Sequence, residues 1–178
     1  MNTPGARATT LTPAAGMLRA ILVGGFIAGL LDIIYAIAVW GARGASPARV
    51  LQGVASGLIG REAAVAGGMS TAILGLVAHF VIMFGAAAVF CFASLRFPFL
   101  VRRWLFSAVV FGCLMYLAMN YVIVPLSAAS GKPPSGINIL IALLPHLVVV
   151  GPPIAWAARH AAMASGRLAP SFAARRSL

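Results

Sequence analysis

Four stretches of the chain run almost wholly apolar for the length a helix needs to cross a bilayer. They cover residues 20–40, 68–94, 104–126 and 137–158. At 1.5 Å per residue the first extends about 30 Å, the hydrocarbon thickness of a membrane. Short breaks with turn chemistry separate them: "LRFPFLVRR" ends at residue 103 and "SAASGKPPSG" ends at residue 136. The connection over 41–68 has a different pattern. Ser46 before Pro47 is a helix start, a hydroxyl cap followed by a proline at the first helical position. Val50, Leu51, Val54, Leu58 and Ile59 then share one face, with Arg49, Gln52, Ser56 and Gly60 largely elsewhere. This predicts a short amphipathic helix over 47–60, too short to span, lying in the interface or dipping into the bundle. The expected fold is an all-α membrane protein: a four-transmembrane-helix bundle over 17–160 with one interfacial helix between helices 1 and 2. Residues 1–16 read as a disordered tail and 161–178 as a basic tail. Pro145, Pro152 and Pro153 predict a kink or break in the last span.

Composition sharpens this picture. The 178 residues are 62% hydrophobic and only 8% charged, with a mean hydropathy of +1.02. A soluble domain carries about a quarter charged residues. Thirteen Lys and Arg against two acids give a formal charge of +11. The basic residues sit at the ends of apolar runs, which points to lipid headgroups and orientation rather than nucleic acid. With four spans the two termini share a side. That side holds Arg7, Arg19, Arg96, Arg102, Arg103, Arg159, Arg167, Arg175 and Arg176, against Arg43, Arg49, Arg61 and Lys132 on the other. The excess of basic residues predicts that both termini face the cytoplasm, with anionic lipid headgroups as partners of those arginines. Trp40, Trp104 and Trp156 stand near span ends as interface anchors. Cys91 and Cys113 lie inside apolar runs without metal-type spacing and read as small core residues.

Each span carries one strongly polar residue: Asp32, His79, Asn120 and His146. Counted from the loop ends opposite the termini, all four fall in one layer roughly 9–17 Å deep. Gly25, Gly29, Asp32 and Ala36 make a 4-3-4 stripe, and so do Gly68, Ala72, Gly75 and His79. Small residues on a stripe mark where membrane helices approach closely, so Gly25, Gly29, Gly68 and Gly75 are expected packing positions. Gly112, Tyr116 and Asn120 follow a 4-4 spacing, as do Asn138, Ala142 and His146; the bulk of Tyr116 argues against close approach in the third span. The expectation is a polar cluster in the interior of the bundle.

Several kinds of chemistry fit such a cluster. Interhelical hydrogen bonds that fix register are the plainest, at about 0.6 kcal/mol each. Carboxylate and imidazole are also the groups that carry protons and ions in membranes, so a small transporter or channel is an alternative; four helices enclose little space, and a path would require a homo-oligomer. A metal held by Asp32, His79 and His146, or a haem between His79 and His146, would make an oxidoreductase, although no close-spaced ligand motif is present. Gln52 either enters the bundle or faces water, Glu62 beside Arg61 reads as a solvated loop pair, and Tyr116 as a packed aromatic that could join the cluster. No nucleophile triad, HExxH, phosphate loop or dinucleotide fingerprint occurs, so no catalytic residue, metal or cofactor is assigned.

The segments "AGLLDIIYA", "SPARVLQGVASGLIG", "GLVAHF", "MNYVIVPLSA" and "LLPHLVVVGPPIA" occur in this order between about residues 20 and 158. In that pattern the chain resembles a group of small bacterial four-helix membrane proteins, similar in general style to YagU-like inner-membrane proteins. The resemblance implies a multi-pass topology in a bacterial inner membrane and carries no chemistry with it.

Overall fold

The computed structural model describes residues 12–168. Helix α1 spans Pro13–Gly41, α2 Pro47–Ile59, α3 Arg61–Ala66, α4 Gly68–Arg96 and α5 Phe99–Arg102. Two further long helices follow, α6 over Trp104–Leu126 and α7 over Ile137–Ala164. Helices α1, α4, α6 and α7 are each long and apolar enough to cross a membrane. Their ends exceed the expected spans where local capping allows. Thr12 Oγ1 accepts from the Ala15 amide and Pro13 takes the first helical position, so α1 starts inside the segment expected to be a tail. The remainder of that tail and residues 169–178 lie outside the described residues. Ser46 and Pro47 start α2 in the same way, and α3 is an additional short turn of helix beyond it.

Helices α1 and α7 form the central antiparallel pair, with α4 packed on α1, α6 on α7, and α2 laid against α4. The start of α1 meets the end of α7, where Gly16 and Arg19 line a groove with Trp156 and His160. Arg159 ties α7 to α5 by donating to the Val101 carbonyl at 2.9 Å. The interior is built from small residues: Ala28, Ala55, Ala72, Ala87 and Ala155 are fully buried. Large apolar side chains such as Leu22, Phe26, Phe92, Phe106 and Leu114 point outward. That inversion suits a lipid surround, where helices associate by close backbone approach rather than by hiding leucine from water.

Glycines mark those approaches. A Cβ at Gly25 would meet the Phe84 ring at 2.6 Å, and one at Gly29 the Phe80 ring at 2.9 Å, so this stripe of α1 faces α4. The adjacent Gly24 faces α7, with Ala157 Cβ 3.0 Å away. A Cβ at Gly75 would fall onto the Leu51 carbonyl of α2. Gly68 does something other than the packing expected of it. It is exposed, has nothing within 4 Å of its missing Cβ, and takes φ +58 at the start of α4. The close approach that the bulk of Tyr116 argued against does occur: a Cβ at Gly112 would strike the His146 carbonyl, and one at Gly151 the Ala108 carbonyl. Cys91 is buried and Cys113 half-buried, both as free thiols.

The prolines produce no chain break. Helix α7 is continuous, but over His146–Val150 it widens into a π turn, and the Gly151 amide reaches back five residues to the His146 carbonyl. Helix α6 widens likewise over Ala118–Ile123, ahead of Pro125. A proline ring collides with the carbonyl four residues back; one extra residue in the preceding turn moves that carbonyl aside. Pro145 leaves the Ile141 carbonyl without its helical donor. Tyr35 of α1 supplies one, its hydroxyl donating to that oxygen at 2.9 Å, as membrane helices require when a proline frees a backbone group.

Candidate functional site

Two clefts meet at Asp32 in the half of the bundle away from Pro13 and Ala164. The first, about 570 Å³, lies between α1, α2, α4 and the end of α6, and is walled mainly by apolar residues such as Ile33, Val54, Ile82 and Ile123. His79 lines it, and Arg49 stands on its α2 wall. The second, about 450 Å³, lies between α1, α6, α7 and the loop after α6. Asn120, His146 and Tyr35 line it, with Arg61, Lys132 and Asn138 also on its wall. Asp32, Ala36, Trp40 and Val124 belong to both walls.

Sequence spacing placed the four polar residues in one layer, and the clefts show how they meet. Asp32 shares the first cleft with His79 and the second with Asn120 and His146. They are not bonded to one another. His79 is buried and its Nε2 donates across to the Gly29 carbonyl of α1 at 2.9 Å. His146 Nδ1 donates to the Ala142 carbonyl in its own helix at 2.7 Å. Asn120 Nδ2 donates to the Tyr116 carbonyl, also in its own helix, at 3.0 Å. Both helices widen at these residues: His146 opens the π turn of α7 and Asn120 lies within that of α6. Among the described residues the half-buried Asp32 carboxylate takes part in no hydrogen bond or ion pair.

The accessory residues divide. Gln52 is buried and its Nε2 donates to the Gly68 carbonyl at 2.9 Å, which pins α2 to the start of α4. Glu62 is exposed on α3, while its neighbour Arg61 donates instead to the Ala129 carbonyl at 3.1 Å. Tyr116 is buried, its hydroxyl without a hydrogen-bond partner among the described residues and its ring edge-on to those of Tyr121 and His146. Among the described residues no three His, Cys, Asp or Glu side chains are grouped to hold a metal ion, so the metal reading of Asp32, His79 and His146 finds no converging donor set.

Tyr35, which the spacing argument left out, and Asn138, which it placed on the stripe of His146, complete the site. Tyr35 joins α1 to α7 beside Asp32. Asn138 Oδ1 accepts from Arg43 at 3.2 Å, and that guanidinium rests 4.9 Å from the Trp40 ring centre, which fastens the ends of α1 and α7. Pro145 was the available signal for Tyr35, since a proline in a span calls for a donor from a neighbour.

Fold and site together fit an integral membrane protein that places two clefts around one acidic side chain. Comparison with protein-family models, curated proteins and solved structures finds no match.

Proposed function

We propose that the protein is a small transporter of the bacterial inner membrane that binds a proton or a small polar solute at Asp32. The unpartnered carboxylate between two clefts carries this reading. An ionised acid at this depth costs about 2.5–3.5 kcal/mol or more unless something neutralises it. The histidines and Asn120 spend their observed bonds on backbone carbonyls, and the neutralising group arrives through a cleft. Those carbonyl bonds favour a structural role for all three: His79 joins α4 to α1, while Asn120 and His146 each bond within their own helix at its widened turn. Both termini are assigned to the cytoplasm from the arginine asymmetry, which puts the clefts in the outer half of the bilayer. A homo-oligomer would complete the path inward, and anionic headgroups would surround the arginines at the cytoplasmic ends.

The test is flux through proteoliposomes. Wild-type vesicles loaded with a pH dye acidify under an imposed potential, or give transient currents on a solid-supported membrane when challenged with pools of polar solutes. Asp32→Asn vesicles give neither. Equal flux from the two proteins would sink the proposal.

A further inference from the structure

The charges around the second cleft are arranged by depth, and that arrangement describes a ligand. At the deep end lie Asp32 and Asn120, where the carboxylate and the amide oxygen can accept hydrogen bonds. Also on the wall are Arg61 and Lys132, both exposed at the loop end of the bundle. Arg61 is held in position by its Nε bond to Ala129, against the buried Gly131, where any side chain would collide with Val124. Among the described residues neither cation has an acidic partner: Glu62 is the one other acid, and it does not line the cleft. Between the two ends the walls are aliphatic, with Val39, Val124 and Ile141. Asp32 and Trp40 both line the cleft eight residues apart on α1, so it runs at least about 12 Å along that helix.

A simple cation entering this cleft is drawn to Asp32 but passes two positive charges. A simple anion is drawn to Arg61 and Lys132 but meets a carboxylate at the deep end. A molecule with an ammonium at one end and a carboxylate at the other matches both. We propose that this cleft binds a small chain-like zwitterion, its ammonium on Asp32 and its carboxylate at Arg61 and Lys132, with a methylene chain along the aliphatic walls. The inference rests on the reading of Asp32 as the binding carboxylate and adds the class of solute.

The experiment uses three probes of one length on the purified full chain: 6-aminohexanoate, n-hexylammonium and hexanoate, with affinity read by titration calorimetry. 6-Aminohexanoate is expected to bind at least tenfold more tightly than either single-charge analogue, and glycine, too short to reach both ends, more weakly than 6-aminohexanoate. Asp32→Asn should weaken 6-aminohexanoate about 10–100-fold, the loss of one charged hydrogen bond, and leave hexanoate binding unchanged or improved. Arg61→Gln with Lys132→Gln, two exposed positions outside the spans, should make n-hexylammonium the preferred probe. If n-hexylammonium binds the wild type as well as 6-aminohexanoate does, and Asp32→Asn abolishes both, the zwitterion inference is overturned while Asp32 keeps its role. If no probe binds, the zwitterion inference is overturned, and the flux comparison of wild type with Asp32→Asn judges the transport reading separately.

Discussion

Gly75 and Gly85 lie ten residues apart in the same helix, and alanine should act on them with opposite sign. In a helix interior glycine costs roughly 0.5–1 kcal/mol relative to alanine, because it loses more backbone freedom on folding. At Gly85 nothing lies within 4 Å of the added Cβ, so that gain stands alone. At Gly75 the Cβ falls onto the Leu51 carbonyl, with the Leu51 carbonyl carbon at 2.8 Å and the Ala55 nitrogen at 3.1 Å. All three atoms are backbone, so no side chain can swing away, and α2 itself must move. Forced repacking of this kind costs typically 1–3 kcal/mol. Gly75→Ala should therefore be destabilising by roughly 1–2 kcal/mol net, and Gly85→Ala neutral to stabilising by up to about 1 kcal/mol. Equilibrium unfolding in mixed micelles with rising SDS, followed by far-ultraviolet circular dichroism, measures both. Because α2 walls the first cleft, Gly75→Ala should also impair any flux that depends on Asp32. The reasoning is refuted if the two variants unfold together, since equal stability would mean that α2 is not held against α4 at that point.

Four further outcomes follow. Tyr35→Phe removes the donor to the carbonyl freed by Pro145 and should cost about 0.5–1.5 kcal/mol. In a Pro145→Ala background the helix supplies its own donor, so a double-mutant cycle should show that cost largely gone; an unchanged cost would mean that Tyr35 acts elsewhere. His79→Ala, which breaks the bond to Gly29, should lower stability by about 0.6–1.7 kcal/mol from the hydrogen bond alone, with the lost ring packing adding to it. Asp32→Asn breaks no bond among the described residues, so its thermal stability in detergent should equal or exceed that of the wild type. A clear drop would show that Asp32 holds the helices together after all. Lys132→Cys in intact cells should react with a membrane-impermeant thiol reagent added outside; labelling only after lysis would reverse the assigned orientation.

What could be read along the chain was whatever depends on one segment at a time. The four spans follow from run length and hydropathy, because a backbone in lipid must satisfy its own hydrogen bonds and the helix does so within a segment. Ser46 with Pro47 starts α2 through local capping, and the stripe of Gly25 and Gly29 is a property of helical spacing. The expectation of one polar layer for Asp32, His79, Asn120 and His146 rests on the same kind of reading, since depth is counted along each helix separately. Partnership was not legible, because it depends on which two surfaces meet. Gly68 and Gly75 sit on one stripe, yet only Gly75 has α2 against it, and Gly68 serves a helix start. Gly112 approaches α7 closely despite Tyr116 on the same face, since the collision depends on the backbone at His146. His79 could have met Asp32 or a carbonyl; the packing of α4 on α1 brings Gly29 to it. Sequence alone placed an aspartate in an apolar span, and only the tertiary structure left that aspartate as the member of its layer facing two clefts with no partner among the described residues.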